Sequence, residues 1–457
     1  MPDLVPQFSV MALHRACAFA SIICIFVVQL LAASAANATQ LLRDAGLEYG
    51  LKQIATPILK AAGLSPNRVK VLIVDDGSLN AFVVSTDAIF IHSGLIGKLT
   101  SASQLQSVIA HEAAHIANGH LTRRLTNLRA ARNASSLGLA LAAAAAAAGS
   151  NKAAVGLAIG VQSSAQRRFF QHTRSEESSA DLSAIRYMRS AGVPITAFAE
   201  VMNIFRGQEV LAETRQDPYV RTHPLSRDRI RVIRAEAAAS KQVEPQQSTE
   251  YWFARVKGKL TAYQRSPKWT LRRAGESGYV DVKAIRLAMA HHQQSQTKKA
   301  LGAIDRAIAA RPQDPFLYDL KGQILLESRN FGAAVGAYGQ AAKLAPRDGL
   351  ILAGLGRAQL AAGQNKAALG NLERARSIDF RDGIMLRDLA TAYAKSGQRG
   401  MASLVTAERY ALRGNMETAG VHAKRAASLL ATGSGPWQRA QDVLSASERA
   451  AKQRKKR

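Results

Sequence analysis

Pro312 and Pro346 lie 34 residues apart, and the same interval relates Gly322 to Gly356, Ala300 to Ala334 and Ala368, and Ala307 to Ala341 and Ala375. A period of that length marks one pair of antiparallel helices, a unit that cannot bury its apolar face alone and must stack on copies of itself. Small residues at the recurring positions let the helices approach closely, while Tyr318 and Tyr338 fill positions suited to large aromatic rings. Phe380 replaces the repeat-ending proline, and residues 383–428 continue as a weaker, shifted copy. The pattern predicts an α-solenoid over residues 278–430 with about four repeats. Such a scaffold presents a concave surface to partners and carries no chemistry of its own. His291 and His292, in its first repeat, read as solvated or packed helix residues rather than metal ligands.

The chemistry lies upstream, in His111-Glu112-Ala113-Ala114-His115. On a helix the two histidines project from one face a turn apart and can share one metal ion, leaving Glu112 beside its open position. Ser103 and Gln106 are spaced as a capping box, and Leu105, Val108, Ile109 and Ile116 follow with helical periodicity, so the motif is expected inside a buried amphipathic helix. A metzincin is disfavoured, because the positions three and six after His115 are Asn118 and Leu121, with Gly119 and His120 out of register. A carboxylate from the later run Arg174-Ser175-Glu176-Glu177-Ser178-Ser179-Ala180-Asp181 is the alternative third ligand. Glu177 and Asp181 are four apart; one can bind zinc while the other accepts a hydrogen bond from a ligand imidazole and fixes its tautomer.

These residues resemble the HtpX and CAAX-prenyl-protease superfamily of gluzincins, in particular its exported BepA-type members with a tetratricopeptide tail. The resemblance is carried by the HExxH motif, the downstream Arg-x-x-Glu-x-x-Ala-Asp, and Thr222-His223-Pro224 through Arg229-Ile230. Asn80-Ala81-Phe82 on a predicted strand, Ser93-Gly94-Leu95-Ile96, and Ala191-Gly192 followed by Pro194 add to it, so that it spans residues 40–235. It implies zinc-dependent endopeptidase activity, with His111, His115 and Glu177 as ligands of one Zn2+ per chain and Glu112 as general base. Asp181, a turn beyond Glu177 but poorly aligned with Glu176, selects Glu177 of the two neighbours and is expected to support a ligand histidine. His223 is expected either to stabilise the oxyanion, to approach the metal, or to cap a helix. Ser85-Thr86-Asp87 stands where the family usually has Pro-Gly-Gly, and Ala184 where a glycine often follows the Ala-Asp; these departures touch the edge strand, not the metal.

At 457 residues, 47% of them apolar, the chain has room for two or three folded domains. Its only cysteines, Cys17 and Cys24, fall in an N-terminal apolar run, which excludes a thiolate metal site. Arg15, the stretch Ala16 to Leu31 and the small residues Ala33 to Ala38 read as a signal peptide over 1–36, and so as export to the periplasm, an uncleaved anchor being the alternative. The expected organisation is a metallopeptidase domain over 40–240, a connecting segment 241–277 with a helix around Trp252 to Tyr263, the repeats, and a basic tail over 431–457. The fold class is mainly α, with a small β-sheet in an α+β zincin-like N-terminal domain and a tetratricopeptide solenoid behind it. The alanine-rich stretch 135–162 reads as a helical hairpin, either a mobile lid or flap or a plain packing element. The net charge of +28 is not assigned to nucleic acid, since no such motif is present; an anionic membrane surface or acidic clients fit an exported protein better.

The residues point to an exported zinc endopeptidase, and the resemblance implies that it acts on unfolded or misassembled envelope proteins, peripheral to the membrane, with the repeats contacting clients or the outer-membrane assembly machinery. The other reading is a non-proteolytic tetratricopeptide chaperone or adaptor whose metal is structural.

Overall fold

The computed structural model describes residues 41–120, 122–123, 174–208, 211 and 215–455. The signal segment and the alanine-rich stretch 135–162 lie outside the described residues. Within them the architecture is mainly α, with one small sheet near the N-terminus and a helical solenoid after it. No described helix is long and apolar enough to cross a membrane.

The sheet has four strands in the order β1-β2-β4-β3: β1 (Leu41–Leu42), β2 (Lys70–Val74), β3 (Ala81–Ser85) and β4 (Ala88–His92). β2 runs parallel to β4, while β1 and β3 are antiparallel to their neighbours, so β3 is an edge strand among the described residues. Helix α1 (Ala45–Ala61), short α2 (Ser93–Lys98) and α3 (Ala102–Ala117) pack with the sheet in one core that includes Leu51, Ile54, Ile73, Ile91, Leu105 and Ile109. Nearly every residue of α3 is buried, including the polar Gln104, Gln106, His111, Glu112 and His115. Its start differs from expectation. Ser101 is the cap, its hydroxyl accepting from the Gln104 amide at 3.2 Å, while Gln106 is buried and donates to the Ile54 carbonyl at 3.0 Å. Both Ser-x-x-Gln pairs have capping spacing, but Ser103 already lies inside the helix and Gln106 is turned to the Ile54 carbonyl, so Ser101 is the cap.

A helix over 174–190 (α4), then α5 (Thr196–Ile204), α6 (Pro218–Thr222) and α7 (Arg227–Ala239) close the N-terminal domain. The expected connector is α8 (Gln247–Gln264), a structural member of both halves rather than a tether. Phe253, Val256 and Leu260 join the N-terminal core, while Ala262 joins the first core of the repeats. Glycines permit the double contact. A Cβ on Gly50 of α1 would lie 2.5 Å from a Val256 methyl, and one on Gly258 would lie 2.9 Å from a methyl of Val282.

After α9 (Pro267–Arg272) come helix pairs α10/α11 (Val280–Gln293, Thr297–Ala310), α12/α13 (Pro315–Glu327, Phe331–Leu344), α14/α15 (Gly349–Ala361, Asn365–Ile378) and α16/α17 (Gly383–Lys395, Arg399–Leu412). The N-termini of α12, α14 and α16 recur every 34 residues, the period of the sequence pattern. A further pair follows, α18 (Met416–Leu429) and the 21-residue α19 (Gly435–Lys455), whose Ala440 is fully buried; most of the basic C-terminal segment is thus a docked helix. The solenoid also meets the N-terminal domain. Asp379 accepts from Arg43 at 2.8 Å and Lys70 at 2.7 Å, Arg381 pairs with Asp87 at 2.8 Å, and the ring of Phe316 lies 4.7 Å from that of Tyr49.

Equivalent positions do equivalent work. Gly322 faces the Tyr338 ring and Gly356 faces Leu372, each pair 34 residues from the other, and added Cβ atoms would meet those side chains at 2.6 Å. We expect Gly322→Ala and Gly356→Ala each to destabilise the protein by about 1–3 kcal/mol through overpacking. Gly336→Ala, at an exposed mid-helix site with open space, should instead stabilise by about 0.5–1 kcal/mol. Apparent unfolding midpoints of the three variants measure this, and a uniform sign across them would contradict it.

Candidate metal centre

Three segments converge on one buried point. α3 presents His111 and His115 from the same face, α4 presents Glu177 and Asp181, and the end of α6 presents His223. Pro224 stops α6, since a residue before proline avoids the helical region, and His223 caps it with its N–H on the Tyr219 carbonyl at 2.8 Å. Each of His111, His115, Glu177 and His223 is at most 3% exposed.

Their inner atoms form a compact group. His111 Nε2 lies 3.2 Å from His115 Nε2 and 3.3 Å from both His223 Nδ1 and a Glu177 oxygen. His115 Nε2 is 3.3 Å from the other Glu177 oxygen, and His223 Nδ1 comes within 3.1 Å of the carboxylate. Donors about 2.0–2.1 Å from a tetrahedral zinc ion stand about 3.3–3.4 Å apart, so the spacing suits such an ion. The outer nitrogens strengthen the case. His111 Nδ1 faces Asp181 at 3.0 Å, His115 Nδ1 faces His120 Nδ1 at 3.0 Å, and His223 Nε2 faces the Ala81 carbonyl at 3.2 Å. With their N–H groups turned outward, the imidazoles point lone pairs at each other and at a carboxylate, an arrangement that requires a proton or a cation at the centre.

The titration behaviour has the same origin. Burial opposes protonation of His111, but bonds to Asp181 and Glu177 outweigh it and raise its pKa to about 9. Burial depresses His115 to about 3 despite Glu177 beside it. Glu177, which burial alone would push up, is held well below the usual carboxylate range by His223, His111 and His115. Two buried carboxylates thus demand positive charge from whatever sits among them.

Every site residue expected from the sequence is at this centre. Glu112 is buried on α3 with an oxygen 3.3 Å from His223 Nε2, and Asp181 supports His111 as its spacing suggests. Glu176 is buried but stands outside the converging donors. Three neighbours escaped the sequence reading. Arg229 forks onto Asp181 at 2.6 and 2.8 Å and reaches Glu177 at 3.2 Å; it lay within a noted motif, but nothing local gives it a partner 48 residues away. His120 backs His115 from the turn after α3, a place at which an i,i+5 spacing carries no helical signal. Tyr219 is fully buried, its ring 4.7 Å from Phe205 and 4.8 Å from His223, its hydroxyl without a hydrogen-bond partner among the described residues. Burial, reinforced by Glu112, pushes its phenol well above the ordinary range, so it stays neutral. His291 and His292 bond to Gln296 and Glu327, far from this centre in sequence.

The fold and the site together form a domain built around a buried His/Glu centre that could hold a metal ion, followed by helical repeats. Residues 45–237 match the family model of peptidase family M48, whose members are metalloproteases. The chain is 26% identical over 184 residues to the putative beta-barrel assembly-enhancing protease of Vibrio cholerae, covering 40% of this chain and 38% of that one. The beta-barrel assembly-enhancing protease of Escherichia coli K12 is 23% identical over 185 residues with the same coverage. That of Yersinia pestis is 24% identical over 274 residues, 58% of this chain and 55% of its own. These matches span well under two thirds of the relatives' lengths. Among solved structures, MamA from Desulfovibrio magneticus (16% identity, TM-score 0.31) covers 35% of this chain and 93% of its own. YrrB, a TPR protein with an unusual peptide-binding site (15%, TM-score 0.31), covers 38% and 91%. The repeat assignment rests on the helix pairs themselves.

Arg229 compensates two buried carboxylates. Removing one partner of such a group typically costs about 3–5 kcal/mol, because the charge left behind is unpaired. Arg229→Met should therefore lower the apparent stability of the metal-free protein by about that amount, with Arg229→Lys recovering part of it. Chemical denaturation at neutral pH measures both, and a neutral Arg229→Met would show that the fork does not hold the site.

Proposed function

We propose that the chain is a zinc-dependent endopeptidase of the bacterial envelope that cleaves misfolded or misassembled proteins in the course of outer-membrane protein assembly. The observation that carries the reading is the convergence of two HExxH histidines, Glu177 and His223 at tetrahedral spacing, with Glu112 beside them. His111, His115 and Glu177 hold the metal in this reading, and Asp181 and His120 fix the tautomers of the two helix histidines. Zinc bound there supplies an electrophile for the scissile carbonyl and lowers the pKa of water. The chain's own part is proton traffic and positioning. Glu112 takes the proton of the attacking water and returns it to the leaving amine. His223 has two ready roles: its Nδ1 stands at the fourth corner of the donor set, and its Nε2–H, held on the Ala81 carbonyl of β3, is turned toward the edge at which a peptide would bind. An extended substrate adds to that strand edge through main-chain hydrogen bonds, which select unfolded over folded clients.

The names of the relatives support an outer-membrane assembly role, and the solenoid offers the surface to recruit clients or assembly components. Export to the periplasm agrees with the apolar N-terminal run, and the charge of +28 suits a protein working against an anionic membrane surface.

A second reading has one observation in its favour. With His223 Nδ1 at the fourth corner the donor set is closed, as in structural zinc sites, and the chain would then act as a repeat-based chaperone. One set of variants separates the two. Glu112→Gln should keep about one zinc per chain by mass spectrometry and lose cleavage of an unfolded protein such as casein by roughly 10²–10⁴-fold. Glu177→Gln should lose zinc to a competing chelator, Glu176→Gln should retain it, and Asp181→Asn should weaken it by roughly 10 to 100-fold. Casein cleavage undiminished in Glu112→Gln, or absent from the zinc-loaded wild type, would sink the peptidase reading.

A further inference from the structure

Away from this centre, a cavity of about 390 Å³ opens between α8, α9 and α10, at the seam with Thr100 ahead of α3. Its lining is unusual for a structural void. Arg286 of α10 is only 4% exposed, yet among the described residues its Nε has no hydrogen-bond partner, and the acid paired with it, Glu276, is 3.9 Å away. The Ser277 hydroxyl beside it is also buried and has no hydrogen-bond partner among the described residues. Lys257 enters from α8, its ammonium on the Leu99 carbonyl, and Trp269 and Phe253 supply flat apolar walls.

Positive charge is concentrated here. Three guanidinium groups crowd the Trp269 ring, those of Arg273, Arg286 and Arg265, at 5.1, 5.7 and 5.8 Å from its centre. Against them stand Glu276, half-exposed and shared between Arg273 at 3.3 Å and Arg286, and Glu250, which is engaged by the Ala102 amide at 3.0 Å. Burial lowers both Lys257 and Arg286 from their ordinary pKa values, the mark of cations short of counter-charge. A buried arginine with unmade bonds costs several kcal/mol unless an anion completes it. Cation–π stacking on one shared ring contributes about 0.5–2 kcal/mol and leaves the Nε donor unmet.

We propose that this cavity is a binding site for a small organic anion, its phosphate or carboxylate received by Arg286, Lys257 and Ser277 and its flat apolar body laid on Trp269 and Phe253. The volume suits a ligand of metabolite size and exceeds what an inorganic ion fills. The site is independent of the metal centre and of the activity assigned to it.

The zinc-loaded full chain is titrated with phenyl phosphate, benzoate, inorganic phosphate and neutral benzyl alcohol, following tryptophan fluorescence and the thermal midpoint. At least one aromatic anion should bind saturably, about tenfold or more tighter than both inorganic phosphate and benzyl alcohol, and weaken with added salt; which of the two wins identifies the head group. Arg286→Met should abolish that binding while leaving the unliganded midpoint equal or higher, because an unpaired buried charge has been removed. Arg286→Lys, which keeps the charge without the planar fork, should bind severalfold more weakly and covers the case in which the methionine variant folds poorly. Absence of saturable binding by either aromatic anion, equal binding of benzyl alcohol, or unchanged affinity in both Arg286 variants would each overturn the assignment.

Discussion

The fork between Arg229 and Asp181 is the contact on which the centre depends. Asp181 is buried because α4 packs under α3, and His111 leans on it with Nδ1. Left alone, Asp181 and Glu177 would be two carboxylates in a dry interior, a state that resolves by protonation or by unfolding. Arg229 reaches both, and it is in place because Ser226 caps α7 and accepts from the Arg229 amide at 3.3 Å. The chain of causes runs from a serine at a helix start, through an arginine, to the orientation of an imidazole two helices away. The lone-pair geometry at the centre is therefore imposed from outside.

A second constraint is the shared helix α8. It is amphipathic in no simple sense, since one side packs on α1 and another on α10 with a glycine opening each approach. Lys259 adds a buried ion pair to Asp44 at 2.7 Å, the same residue that caps α1 through the Leu47 amide at 2.9 Å. Arg255 pairs with Asp314 at the cap of α12. Charges that cap helices in one half are thus answered from the other, which makes the seam specific in register as well as apolar.

Much of this was legible in the sequence where the determinant is local. The zinc-type pentapeptide, the Glu177–Asp181 pair and the 34-residue period all depend on spacing within one element, and spacing survives without coordinates. His223 was legible only as a motif residue with several open roles, because its function depends on which carbonyl its Nε2 meets, and that carbonyl is Ala81, 142 residues earlier. Arg229 and Tyr219 were missed for the same reason, their partners being brought by tertiary packing, whereas His120 meets His115 across the turn that ends α3, a spacing with no helical signal. The connecting helix was legible in the sequence, but not that the long stems of Arg255 and Lys259 are buried and their heads paired across the two halves. The cap was displaced by two residues because two identical spacings overlap and nothing local says at which serine the helix begins.

The position of α8 in the chain also has a meaning in time. Its Val256 packs on Gly50, so the first helix of the N-terminal domain waits for a partner about 200 residues later in synthesis, on the order of ten to forty seconds at ordinary translation rates. The helix bearing His111 and His115 waits as well, for its first turn is tied to Glu250 and the loop before it to Lys257. Until α8 emerges, the platform beneath the histidines lacks one wall, and the first turn of their helix lacks its contact with Glu250. A nascent chain therefore carries the complete motif long before it carries a site, and assembly of the centre is deferred until the segment that joins it to the repeats has been made.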